Sequence, residues 1–481
     1  MRVHIILRYV GMVLIFNSIF LFISFLISAF NHDSAVYPLL YSTIVTLLFG
    51  IFPLIFVPPS TDITNQEGYG LVVISWLLSC LVGIIPYVLW GGEFNLTNAW
   101  FESVSGFTTT GSTILTNVEA LPRGLLFWRS STHWIGGIGI VLFVLVVLPS
   151  MARAKLTLYK YEMSELAMEN FRYKTRQVMQ IILWVYIGLT VLETILLMIF
   201  GMDLFDAVTH SFATIATGGF STKNMSIAAY HSVAIEVVVM IFMFLSGIHF
   251  GLLYATIMWQ KKNLVWKSSI VKYYFWGMVI GILLVTFNLY TNKDFPTFGE
   301  SLRYASFQII SVGTTTGFAT APSEIWPPFS QLMLLFFTLQ CACAGSTSGG
   351  LKVDRVMIFF KAIRKQIVHS KHPNAVVTLR LGKNLLKDEV VETTLVFIVL
   401  YLLIVFGTGL ILSFMGVDML SAFSASAATM GNVGPGLSNV SSLGNFSTIP
   451  DPGKWLLSLN MLLGRLEIFG FLYLFMLRSW K

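Results

Sequence analysis

A short Thr-Gly segment recurs four times in this chain, each time after a brief amphipathic stretch and between two long apolar runs. The copies are Thr108-Thr109-Thr110-Gly111, Ile215-Ala216-Thr217-Gly218, Thr314-Thr315-Thr316-Gly317 and the degenerate Met430-Gly431-Asn432-Val433-Gly434. Their final glycines lie roughly a hundred residues apart, the spacing of an internal repeat. Each copy reads as an outgoing helix, a re-entrant half-helix, an exposed loop and a return helix.

The flanking runs fix the environment. With 56% hydrophobic and 11% charged residues over 481 positions, a soluble domain is excluded and a polytopic all-α membrane protein is indicated. The first run, Ile5 to Phe30, is longer than a signal-peptide core and has no small-residue cleavage site before Asn31, so it reads as a retained helix. Cys80, Cys341 and Cys343 all sit in apolar runs and offer neither a disulfide framework nor a metal site of usual spacing.

The formal charge of +7 is a topology signal and not a nucleic-acid footprint. With the four loops outside, the outer basic residues are Arg123, Lys223, Lys293, Arg303 and Lys454. Arg129 and Arg465 fall inside apolar runs, and the remaining Lys and Arg lie on the other side, which is therefore cytoplasmic and holds both termini.

Arg2 and Arg8 lead into two helices, about 5–30 and 37–57, that carry no Thr-Gly loop. The chain divides into a two-helix extension (1–66) and pore repeats one (67–176), two (177–270), three (271–390) and four (391–481). Repeat one goes out over 70–90, re-enters over 99–107 and returns over 125–148; repeat two uses 178–200, 205–215 and 233–258. Basic inner loops follow them, with Arg153, Lys155, Lys160, Arg172, Lys174 and Arg176, then Lys261, Lys262, Lys267 and Lys272. Repeat three uses 273–290 and 298–312, but its return run, Leu332 to Ala344, spans only about 20 Å against a ~30 Å hydrocarbon core. It breaks at Gly345-Ser346-Thr347-Ser348-Gly349-Gly350 and resumes over 351–363. Irregular backbone at membrane depth is tolerated only against protein or a wet cavity, so this break is expected to line a pore. Repeat four uses 393–414, 419–429 and 456–477, leaving Arg478 and Lys481 inside. Two leading helices plus four even-numbered units give about ten crossings, with every loop on one face.

The loop chemistry suits a cation. Backbone carbonyls of a glycine-containing segment can replace a hydration shell without a fixed charge. Threonine adds a hydroxyl and favours extended backbone, and the carbonyl end of each half-helix carries partial negative charge. Small residues are common in membrane helices for packing alone. Four copies on the side opposite the basic loops outweigh that reading.

Several further motifs accompany the loops: Ser105-Gly106-Phe107 before the first, Trp128-Arg129-Ser130, Trp134-Ile135-Gly136-Gly137, Gly219-Phe220-Ser221-Thr222, Cys343-Ala344-Gly345-Ser346-Thr347, Gly434-Pro435-Gly436 and Gly464-Arg465-Leu466-Glu467. Over nearly the whole chain they resemble the Trk/Ktr/HKT superfamily of potassium transporters, specifically its TrkH-type membrane subunits, to which the extra N-terminal pair is similar. The resemblance implies four parallel M1-P-M2 repeats around a pseudo-fourfold pore and transport of K⁺ across the bacterial inner membrane, with no enzymatic activity. It implies K⁺ coordination by Thr109, Thr110 and Gly111, by Ala216, Thr217 and Gly218, by Thr315, Thr316 and Gly317, and by Asn432, Val433 and Gly434. Gly431 competes with Gly434 in repeat four, where the following Gly-Pro-Gly favours Gly434. It implies a gate formed by Gly345, Ser346, Thr347, Ser348, Gly349 and Gly350, a homodimer, and a cytoplasmic TrkA-type partner that binds the regulatory nucleotide, none being bound by this chain.

Arg465, deep in the last apolar run, serves either as a barrier beneath the loops or as the partner of Glu467 or another buried acid. Arg129 is placed to snorkel and reads as structural, and His249 reads as a packed histidine. Asp203 and Asp206 either draw cations or cap the second half-helix. A Ser348–His249 protease dyad leaves the four loops unexplained, and Gly136-Gly137-Ile138-Gly139 lacks a dinucleotide fingerprint. Inverted-repeat alternating access requires odd numbers of crossings per unit. A single filter glycine per loop leaves a Na⁺-dependent or weakly selective pathway as the alternative.

Overall fold

The computed structural model describes residues 2–58, 65–151, 175–258, 264–374, 377–382, 384–468 and 470–471. Arg153, Lys155, Lys160, Arg172, Lys174, Lys261, Lys262, Arg478 and Lys481, with the expected helical stretch 472–477, lie outside the described residues.

The leading helices are Val3–Asn31 and Val36–Phe56, joined where His32 takes a left-handed φ of 52° and Asp33 Oδ1 accepts from Ala35 N at 3.0 Å. They cross at glycine: a methyl group on Gly11 would overlap the Gly50 carbonyl, the close approach that small residues permit between membrane helices. The pair is fastened to repeat one by a buried bond from Asn17 Nδ2 to Ser79 Oγ (2.9 Å) and by an ion pair between Arg2 and Glu67 (2.8 Å).

Four units follow. Their outgoing helices are Asn65–Trp90, Thr175–Ile199, Ser269–Thr291 and Asp388–Phe414. Among the described residues, six helices are long and apolar enough to cross a membrane: the leading pair and these four. The half-helices are Leu96–Phe107, Leu204–Ile215, Phe298–Gly313 and Met419–Met430. Three of them have 12 residues and that of repeat three 16, a rise of about 18–24 Å, so such a helix ends within the membrane. Side chains of Asn95, Thr297 and Asp418 cap three of them at their starts, whereas Asp203 occupies that position in repeat two without a capping bond. Their last turns are buried among the other units.

The return helices differ. In repeat one, Arg123–Met151 is continuous over 29 residues. In repeat two the expected single helix is two, Val233–Ser246 and Phe250–Met258, with a bend of 103° at the break. Two contacts mark the break. A side chain at Gly247 would strike the Tyr274 hydroxyl, and His249 Nδ1 accepts from Gly251 N (2.9 Å), starting a new helix in place of continuing the old one. In repeat three the helix is Pro328–Leu339 and resumes as Val353–Lys371, so the break opens earlier than the sequence indicates. A parallel bridge between Gln340 and Leu351 pinches the base of the intervening loop, and Cys341 N donates to Leu351 O at 2.9 Å. In repeat four the expected helix 456–477 is Asp451–Arg465, interrupted where Glu467 takes a φ of 57°. Arg465 therefore ends a helix instead of lying in its middle.

The core has two large parts. One joins the leading pair with repeats one and four, and the other joins repeats two and three. Leu48, Phe49, Phe52, Leu403 and Leu410 are exposed on the outer faces, as expected where lipid replaces a protein neighbour.

Candidate ion pathway

The backbone after each half-helix repeats the same four steps. Thr108, Ala216, Thr314 and Gly431 terminate the helices. The next residues, Thr109, Thr217, Thr315 and Asn432, all take left-handed φ, at 51°, 55°, 62° and 52°. The amides of Thr110, Gly218, Thr316 and Val433 then each donate five residues back, to Ser105, Ala213, Ser311 and Ala428 (2.9, 2.8, 2.9 and 2.9 Å). Glycines with φ of 84°, 78°, 84° and 98° complete the turns at Gly111, Gly219, Gly317 and Gly434.

This register corrects the second loop. Gly218 is the counterpart of Thr110, and the counterpart of Gly111 is Gly219, so Ala216-Thr217-Gly218 is one residue early. Ala216 caps the half-helix. A Gly-Gly doublet offers two candidates to a spacing argument, and Gly219-Phe220 matching Gly317-Phe318 is the signal that separates them. In repeat four the backbone places Gly434, and not Gly431, with Gly111 and Gly317.

The four turns meet edge to edge. A methyl group on Gly111 would overlap the Gly218 carbonyl, one on Gly219 the Thr316 carbonyl, and one on Gly317 the Val433 carbonyl. On Gly434 it would lie 2.6 Å from the Thr110 carbonyl. The circuit closes on itself, so only residues without a β-carbon fit at these positions. All four glycines line one cavity of about 80 Å³, together with Ser112, Arg129 and Lys223.

Buried polar contacts brace the ring. Arg129 does not snorkel; it is buried, with Nε donating to Glu102 Oε1 at 2.6 Å, Nη1 to Ser221 O at 3.0 Å, and its guanidinium 3.5 Å from the Phe220 ring centre. Glu102 also accepts from Thr113 Oγ1 and Ile114 N (2.9 and 3.1 Å), so one ion pair binds the loops of repeats one and two. His133 stacks on Phe220 at 4.0 Å and touches Gly218. Asp206 accepts from Tyr230 and Thr222 (2.6 and 2.7 Å) and pairs with Lys223 at 3.6 Å, which ties it to the second loop's own scaffold.

The loop that interrupts the third return helix lies against three of the four turns. Thr347 Oγ1 donates to Ile215 O (3.0 Å), Gly349 N donates to Thr315 Oγ1 (3.3 Å), and Gly349 packs on the Asn432 amide. Arg465 Nη1 donates to Thr347 O and Nη2 to Gly136 O (2.9 Å), while Lys352 Nζ donates to Ser348 O. Glu467 pairs with Arg355 at 2.7 Å, so it is not the partner of Arg465. The repeat-two break joins the same assembly: Phe250 N donates to Gly345 O (3.2 Å), Cys343 N to Gly247 O (3.1 Å), and Gly345 rests on the His249 ring. Ser348 shares a hydrogen bond with Ser346 (2.7 Å) while His249 accepts from Gly251, an arrangement without a serine–histidine relay.

Comparisons with known proteins agree with this architecture. The family described as TrkH, cation transport protein, matches residues 42–480. The Trk system potassium uptake protein TrkH of Escherichia coli K12 is 35% identical over 422 residues, 87% of each chain. That of Halomonas elongata is 30% identical over 488 residues, 100% of each chain. The crystal structure of the potassium transporter TrkH from Vibrio parahaemolyticus superposes with a TM-score of 0.90 at 30% identity, covering 100% of both chains.

Proposed function

Because the chain belongs to the TrkH family of cation transport proteins, we propose that it is the K⁺-translocating subunit of a bacterial Trk uptake system. The observation that carries this reading is the closed ring in which each loop's glycine abuts the next loop's carbonyl. Oxygens of fixed spacing and no net charge suit a dehydrated monovalent cation. The coordinating set is Thr109, Thr110 and Gly111, Thr217, Gly218 and Gly219, Thr315, Thr316 and Gly317, and Asn432, Val433 and Gly434. Gly345 to Gly350 form the gate, held shut by Arg465 through the Thr347 carbonyl.

The protein works in the inner membrane with both termini cytoplasmic, as a homodimer beneath which a nucleotide-binding TrkA-type partner acts on the gate. The four units are functional quarters of one pore, with 1–66 as an added pair. Radioactive Rb⁺ uptake into proteoliposomes tests this. Competition by K⁺ and not by Na⁺ is expected, and equal competition by Na⁺ would transfer the protein to weakly selective cation transport. Deletion of 345–350 raises basal flux; unchanged flux after deletion removes the gate assignment.

A further inference from the structure

The four left-handed positions below the glycine ring carry an unusual set of oxygens. A β-branched residue at positive φ is strained, and strain of this kind, about 1–3 kcal/mol per residue, persists where surrounding structure enforces it. Here it recurs at Thr109, Thr217 and Thr315, with Asn432 as the fourth. All four are fully buried or nearly so. Thr109 Oγ1 and Asn432 Oδ1 receive no hydrogen bond from the described residues. Asn432 Nδ2 is committed to Thr110 Oγ1 (3.0 Å) and to the Met461 carbonyl (2.9 Å), which fixes the amide orientation and leaves Oδ1 against Gly349. Thr109 packs beside Gly136, whose carbonyl takes the Arg465 guanidinium. Thr315 Oγ1 is filled differently: the backbone N–H of Gly349 donates to it at 3.3 Å.

We propose that Thr109, Thr315 and Asn432 form an inner site for a dehydrated monovalent cation, and that the shut gate loop stands in for the ion by presenting the Gly349 N–H to Thr315. An amide hydrogen and a cation both satisfy a buried oxygen that is costly to leave bare. Both are positive and repel when crowded onto one oxygen, so ion and shut loop oppose one another. Linkage is reciprocal: whatever strengthens cation binding there weakens closure by the same factor. The inference rests on the cation-pathway reading above and adds that the permeant ion itself loosens the gate.

Hydrogen–deuterium exchange on the full chain in lipid nanodiscs tests it, in KCl against choline chloride at equal ionic strength. The peptide covering 345–351 exchanges at least about fivefold faster in K⁺, the lower end of ordinary coupling between sites. Thr315→Val removes the acceptor while keeping the shape, so exchange becomes fast in both salts and the K⁺ dependence disappears. Asn432→Thr, which withdraws the orphan amide oxygen together with the Nδ2 bonds to Thr110 and Met461, shrinks the K⁺ effect and serves if the first variant does not fold. Unchanged or slower gate-loop exchange in K⁺, with K⁺ still protecting the segments 105–112 and 311–317, overturns the inner site and leaves the cation pathway standing. Absence of any K⁺ effect on all four turns overturns both.

Discussion

The four turns after the half-helices and the loop at 345–350 are both irregular backbone at membrane depth, yet they are held by different kinds of contact. Each turn is fastened mainly to its own half-helix through amides that reach back five residues, and glycine at positive φ makes the close approach possible. The loop at 345–350 draws on distant residues: Arg465 on Thr347, His249 on Gly345, Ile215 and Thr315 on its donors. Local bonds re-form as soon as they break, whereas long-range contacts can be lost together when one element moves. One region keeps its spacing through local bonds, and the other depends on contacts from several separate elements.

Substitutions at five positions test this contrast. Glu102→Ala leaves Arg129 buried without its partner, a loss of about 3–5 kcal/mol, and lowers the thermal midpoint of the purified protein sharply. A normal midpoint would mean the ring needs no such brace. Gly219→Ala places a side chain into the Thr316 carbonyl at positive φ, costing about 1–3 kcal/mol and cutting Rb⁺ uptake ~10–100-fold. Gly218→Ala meets the His133 ring instead of a carbonyl, at a φ that alanine adopts, and costs less; the reverse order would return the ring position to Gly218. Arg465→Gln removes charge-assisted bonds worth about 1.5–3 kcal/mol and raises basal flux ~tenfold while the midpoint barely changes. A large midpoint drop with unaltered flux would place Arg465 in the permanent scaffold. His249→Ala removes a cap worth about 1 kcal/mol and raises flux ~fivefold, and His249→Asn, itself a good cap, restores the low flux.

What the sequence disclosed follows the same division. Outgoing helices and half-helices were readable because length and apolar character are local properties, and each falls within a few residues of its expected bounds. The break in repeat three was readable because glycine and serine are dense there. The break at Gly247 is hidden in an apolar run with only two separated glycines, Gly247 and Gly251, since the contacts at it, from Tyr274 and the His249 cap, lie outside the pattern. The bend after Arg465 left even less trace, because it depends on a non-glycine residue at positive φ. Arg465 could be flagged as costly in a membrane, but its acceptors at 136 and 347 are set by tertiary contact alone.

The closed ring also dictates an order of manufacture. Its first and last members touch across 322 positions, through Asn432 on Thr110 and Ser112 on the Gly434 carbonyl. A ribosome working from the N-terminus therefore cannot deliver a finished filter until the final quarter has entered the membrane. The segment 345–350 has been made by then, so the ring cannot close before that loop exists. Arg465 arrives still later. A product cut short between Met461 and Arg465 would keep the carbonyl that holds Asn432 in the ring and lose the guanidinium that holds the Thr347 carbonyl.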